Sequence, residues 1–137
     1  MKCRLYSIVY KTVLFVYLAA VAYLCFADFD SLPDVQKTIL GIPTDKIVHF
    51  AMFFPFPWIA YGSMDRRPDK ASSVVAGVIN VCALGCILAG ITEIVQGALP
   101  YRSQDLHDYA ADCLAICLCG VLLLAFHLVG FYRRKKR

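Results

Sequence analysis

The chain reads as an all-α membrane protein, a compact bundle of four transmembrane helices forming a single domain over residues 1–137. Three observations predict this. The composition is 60% hydrophobic and only 18% charged, with a mean hydropathy of +0.63, which leaves too little polar surface to coat a water-soluble domain. Several uncharged runs approach the roughly 20 residues that a helix needs to cross a hydrocarbon core. Most basic residues gather in short clusters beside those runs, so the net charge of +4 reads as membrane topology and argues against a nucleic-acid partner.

The first span is expected over about residues 8–27, where Lys2, Arg4 and Lys11 lead into an uncharged run from Thr12 to Ala27. A signal peptide shares this pattern, and Cys25-Phe26-Ala27 loosely imitates a cleavage site; a retained helix is favoured, with the alternative open. Residues 28–46, punctuated by Pro33, Gly41 and Pro43, read as an outer loop with a short interfacial helix at 34–40. Thr44 is expected to cap the next helix, placing Asp45 in its first turn, where the helix dipole favours negative charge. The second span, 47–63, contains Pro55 and Pro57 and is expected to kink there.

A basic loop with Arg66, Arg67 and Lys70 separates it from a third span, 71–95, uncharged from Ala71 to Thr92, in which Ala76, Gly77, Ala83, Gly85, Ala89 and Gly90 would let helices approach closely. The fourth span covers 109–131 and ends in wholly basic residues 133–137. On this four-span scheme eleven of the 14 Lys and Arg residues lie on one side, so both termini are expected in the cytoplasm and 28–46 and 96–112 outside.

That topology collects the ionisable residues into one layer at the outer boundary. Asp45, Lys46 and His49 open the second span, Glu93 and Gln96 close the third, and Arg102, Asp105, Asp108 and Asp112 lead into the fourth. Charge at a bilayer edge is costly unless paired, hydrated or used, so the cluster is the expected functional site. The spacing puts Asp45 with His49 and Glu93 with Gln96 on common helical faces, and the three later aspartates on one face if that stretch is helical. His49, oriented by Asp45 or Glu93, has the makings of a general base. Lys46, Gln96 and Arg102 suit substrate binding, with the two cations able to hold a phosphate. Asp105, Asp108 and Asp112 form an oxygen-rich candidate for a divalent cation, the one cofactor suggested. A salt-bridged network stapling the helix ends is the structural alternative.

The run Asp45-Lys46-Ile47-Val48-His49-Phe50-Ala51-Met52-Phe53, then Glu93-Ile94-Val95-Gln96, then Arg102, Asp105, Asp108 and Asp112 resembles the VanZ-like membrane protein family over roughly residues 45–120. Where that family has Asn and Gly after its last Asp, Cys113-Leu114-Ala115-Ile116 stands here, so no role is carried over from that Asn. The family is named for a bacterial protein conferring low-level teicoplanin resistance. The resemblance implies a bacterial cytoplasmic (inner) membrane setting and a link to the cell envelope.

Two functions from different classes follow. One is an envelope enzyme handling the polar head of a lipid or lipid-linked cell-wall precursor; the other is a non-catalytic membrane protein that binds such a head group or modulates a partner. A small transporter subunit fits less well, because no charged residue marks a path through the third span. The seven cysteines, lacking any Cys-x-x-Cys, read as packing residues. His107 is a reserve ligand or acid–base group, His127 a packing residue, and Trp58 and Tyr61 an aromatic belt.

Overall fold

The computed structural model of the chain describes residues 2–27, 38–39, 41–64, 70–102 and 104–136. In order these form α1 (Lys2–Phe26), β1 (Thr38–Ile39), β2 (Ile42–Pro43), α2 (Thr44–Phe53), α3 (Phe56–Ser63), α4 (Ala71–Gly97) and α5 (Leu106–Lys135). Three of the helices, α1 over Tyr6–Phe26, α4 and α5, are long and apolar enough to cross a membrane. Their outward faces are apolar too: Phe15, Ile79, Ile87 and Val121 are exposed, and only 11% of the apolar window of α1 is buried inside the protein. Such a surface is a liability in water and the normal condition against lipid tails.

The expected second span is instead two short helices, so the described residues hold three qualifying spans rather than four. Pro55 and Pro57 remove two amide donors two residues apart, and each ring crowds the carbonyl four residues back, which turns the expected kink into a break. The Phe54 N–H closes α2 on the Phe50 carbonyl at 3.0 Å, and α3 restarts with Pro57 in its first turn, where a missing donor is harmless. Carbonyls beside the break need donors from elsewhere. Tyr17 of α1 supplies one, its hydroxyl donating to the Met52 carbonyl at 2.6 Å.

Two further expectations change. Thr44 is the first residue of α2 and Pro43 its N-cap, so the cap makes no side-chain hydrogen bond, although Asp45 does fall in the first turn. Part of the expected 34–40 helix is strand: Thr38 and Ile39 pair antiparallel with Pro43 and Ile42, and Gly41 at φ 79° permits the reversal between them. The rest of the outer loop through residue 37, and the 65–69 part of the basic loop, lie outside the described residues.

Helices α4 and α5 pack along each other, α2 lies against α5, and α3 sits between α1 and the α4/α5 pair. Val21, Cys25, Phe53, Ala89, Ala115 and Ile116 form one core cluster, and Phe56, Ala60, Val78, Val81 and Leu123 a second. Of the small residues on α4, Gly77, Gly85 and Ala89 face inward, whereas Ala76 and Ala83 are exposed. A Cβ at Gly85 would meet Phe56 Cδ1 at 2.8 Å and Ile116 Cδ1 at 3.2 Å. His127 packs on Tyr61, ring centroids 4.6 Å apart.

Two substitutions test this packing by denaturation in detergent micelles. Gly85→Leu should cost about 1–3 kcal/mol through overpacking. Tyr17→Phe, which strands the Met52 carbonyl, should cost about 1 kcal/mol. A Gly85→Leu protein as stable as the parent would contradict the close approach of α3 and α5 to α4.

Candidate functional site

The N-terminus of α2, the C-terminus of α4 and the N-terminus of α5 meet at one end of the bundle. Asp105 is the N-cap of α5, accepting the His107 N–H on its carboxylate at 2.8 Å. With α5 started there, Asp108 falls in the first turn and Asp112 one turn deeper, both buried. On α2, Lys46 and His49 lie three apart and face these acids, while the last turns of α4 carry Glu93 and Gln96.

The polar groups fall into two layers. In the outer layer Lys46 Nζ donates to Asp105 Oδ2 at 2.7 Å and to Asp108 Oδ1 at 2.8 Å. In the inner layer His49 Nδ1 lies 3.2 Å and 3.3 Å from the two oxygens of Asp112 and 3.8 Å from Glu93 Oε1. His49, Glu93 and Asp112 are 4%, 3% and 0% exposed, so these charges are effectively out of solvent. Glu93 Oε2 accepts the Asp105 backbone N–H at 3.2 Å, whereas Oε1 has no hydrogen-bond partner among the described residues. Asp45, exposed, brings a carboxylate oxygen within 4.8 Å of ligand atoms on His49 and Asp108.

The structure regroups the residues singled out from the sequence. His49 and Glu93 meet, but the carboxylate against the imidazole is Asp112 rather than Asp45. Asp105, Asp108 and Asp112 do not converge on one point: the first two hold Lys46, and Asp112 turns to His49. Gln96 and Arg102 reach α1. Gln96 Nε2 donates to the Cys25 carbonyl at 3.1 Å, Tyr101 Oη to that of Phe26 at 2.9 Å, and an Arg102 guanidinium N–H to that of Leu24 at 3.3 Å. The last carbonyls of a helix have no intrahelical donors, so these three side chains cap α1. His107 is exposed beside Asp105, its Nδ1 3.0 Å from Oδ1.

Beside the cluster a groove of about 340 Å³ opens between α4 and α5, lined by Gly90, Glu93, Ile94, Asp105, Leu106 and Tyr109 among others. Ile94 and Leu106 on its rim are 67% and 76% exposed, so the groove joins the apolar exterior to the carboxylates. Tyr109 carried no signal in the sequence and Gly90 only that of a close helix approach; the α4/α5 register makes the two neighbours. Chemically, the His49–Asp112 pair is an imidazole oriented by a buried carboxylate, competent for proton transfer or metal ligation.

Asp105 and Lys46 perturb each other: the lysine, then the His107 amide, holds the Asp105 carboxyl well below the usual range, and the carboxylates of Asp105 and Asp108 raise the Lys46 ammonium. The depressed acid contributes stability fully above its ordinary pKa of 3.8, and this is lost as pH falls from there through the folded value. The raised base contributes fully below its ordinary 10.5, and this is lost as pH rises through the folded value. Thermal stability in detergent should therefore hold between about pH 5 and 9 and decline on either side. Lys46→Met should lower that plateau and flatten the acid flank; an unaltered acid flank would contradict the pairing.

No protein-family model matches the chain, and no solved structure matches it. Among curated proteins it is similar to an uncharacterized protein of Schizosaccharomyces pombe, 34% identical over 92 residues that cover 64% of this chain and 52% of the relative. The chain thus spans about half the length of that relative.

Proposed function

We propose that the chain is a multi-pass membrane protein that takes the polar head of a membrane lipid, or of a lipid-linked envelope precursor, into the groove between α4 and α5. The observation that carries this reading is the groove itself, whose exposed apolar rim at Ile94 and Leu106 leads to the carboxylates of Glu93 and Asp105. Acyl chains fit the rim, and the acceptor-rich wall matches a head group offering hydroxyl or amine donors. A bare phosphate fits less well, because Lys46 is already engaged by two carboxylates.

In this reading α2 and α3, with ten and eight residues joined by a two-residue turn, together make a fourth crossing of about 30 Å, broken in the middle. The basic clusters face the cytoplasm and the polar cluster faces outward. The resemblance to VanZ-like proteins adds a bacterial inner membrane and an effect on teicoplanin susceptibility; the yeast relative gives no reason to confine the lipid reading to bacteria.

A structural role for the network is the second reading, favoured by the twofold pairing of Lys46. Lipids co-purifying in native-lipid particles separate the two. Gly90→Leu projects into the groove, where a Cβ meets Tyr109 at an ordinary 3.6 Å, so the fold should tolerate it. Wild-type protein should be enriched in one lipid class over the bulk membrane, and Gly90→Leu should lose most of that enrichment. Identical profiles from two folded proteins would favour the structural network.

A further inference from the structure

Glu93 Oε1 is buried without a hydrogen-bond partner among the described residues and faces the His49 imidazole, which Asp112 already contacts. Leaving a buried carboxylate oxygen unsatisfied is costly, and two buried carboxylates beside one imidazole are not neutralised even when that imidazole is protonated. We propose that His49, Glu93 and Asp112 bind one divalent transition-metal ion of the zinc and manganese class. The charges then balance: two carboxylates and a neutral imidazole meet a doubly positive ion.

The geometry suits such an ion. Metal–ligand bonds of about 2.0–2.2 Å place neighbouring donor atoms about 3.0–3.5 Å apart in a tetrahedral or octahedral shell. His49 Nδ1 and Asp112 Oδ1 already stand at 3.2 Å, and Glu93 Oε1, 3.8 Å from the same nitrogen, needs only a small side-chain shift. One ligand atom from each residue lies within 4.8 Å of the other two. The Asp105 backbone N–H on Glu93 Oε2 holds that carboxylate in place, as outer-shell bonds do in metal sites. The imidazole suits zinc and the two carboxylates suit manganese, and Glu93 on the groove wall offers a route of entry.

A second grouping, Asp45, His49 and Asp108, shares the imidazole. It is the weaker host, because Asp108 is neutralised by Lys46 and Asp45 is exposed. The inner site stands independently of the lipid reading, and its test needs no lipid ligand.

Full-length protein in detergent, stripped by chelator and re-equilibrated with Zn²⁺ or Mn²⁺, should retain one ion per chain by elemental analysis. Pulsed electron paramagnetic resonance of the Mn²⁺ form should show coupling to a histidine nitrogen, a readout on the wild-type protein that depends on no variant folding. The near-isosteric Glu93→Gln and Asp112→Asn should each weaken Mn²⁺ binding roughly 100-fold or more, since loss of an outer-shell partner alone can cost up to about 100-fold. Asp108→Asn should leave binding within a few-fold of wild type. Folded wild-type protein that retains no ion, or Mn²⁺ without nitrogen coupling, overturns the proposal. So does Asp108→Asn releasing the metal as fully as Asp112→Asn.

Discussion

The contact between His49 and Asp112 is the constraint on which the rest of this end of the molecule depends. A fully buried carboxylate costs several kcal/mol in lost hydration unless a partner is held against it with good geometry. Asp112 sits two turns into α5 and is 0% exposed, so its partner must come from across a helix interface. That requirement fixes the register of α2 on α5 and places Lys46, one turn earlier on α2, against Asp105 and Asp108. Asp105 in turn caps α5 and, through its own amide, holds Glu93 at the end of α4. Three helix termini are thus tied by a set of bonds in which each depends on the others.

The same end of the bundle secures α1. A helix buried over so little of its surface packs along one narrow strip, against α3 and through Val21 and Cys25 in the core. Its attachment relies on Tyr17 at the α2/α3 break and on Gln96, Tyr101 and Arg102 at its last carbonyls. Residues that look like ligand-binding groups in a list of polar positions therefore have structural work, which narrows the binding surface to the groove and the inner layer. The groove is bounded by the elements whose positions the His49–Asp112 contact sets, so recognition and packing share one framework.

Much of this was legible in the sequence. The apolar runs of α1, α4 and α5 are long enough that composition alone locates them, and the polar residues collect at the end where those runs place them. What was not legible depends on contacts between segments. Pro55 and Pro57 signalled an interruption, but whether a helix bends or breaks depends on finding donors such as Tyr17 for the carbonyls beside it. Three aspartates spaced for one helical face suggested a shared ion, yet the α2 register assigns the first two to Lys46 and the third to His49. The start of α5 at residue 106 has a local signal, since Asp105 followed three residues later by Asp108 is a helix-start pattern. The hairpin at Gly41 had one too, in the β-branched Thr38, Ile39 and Ile42 around a glycine.

A double-mutant cycle between His49→Ala and Asp112→Ala, read as unfolding free energy in detergent, tests the central claim most directly. Each single variant leaves the other group buried without its partner and should lose about 3 kcal/mol or more. The double variant should lose clearly less than the sum, giving a coupling of about 1–3 kcal/mol. Strict additivity would mean that the two side chains do not depend on each other, and the account of how α2, α4 and α5 are held together would fail.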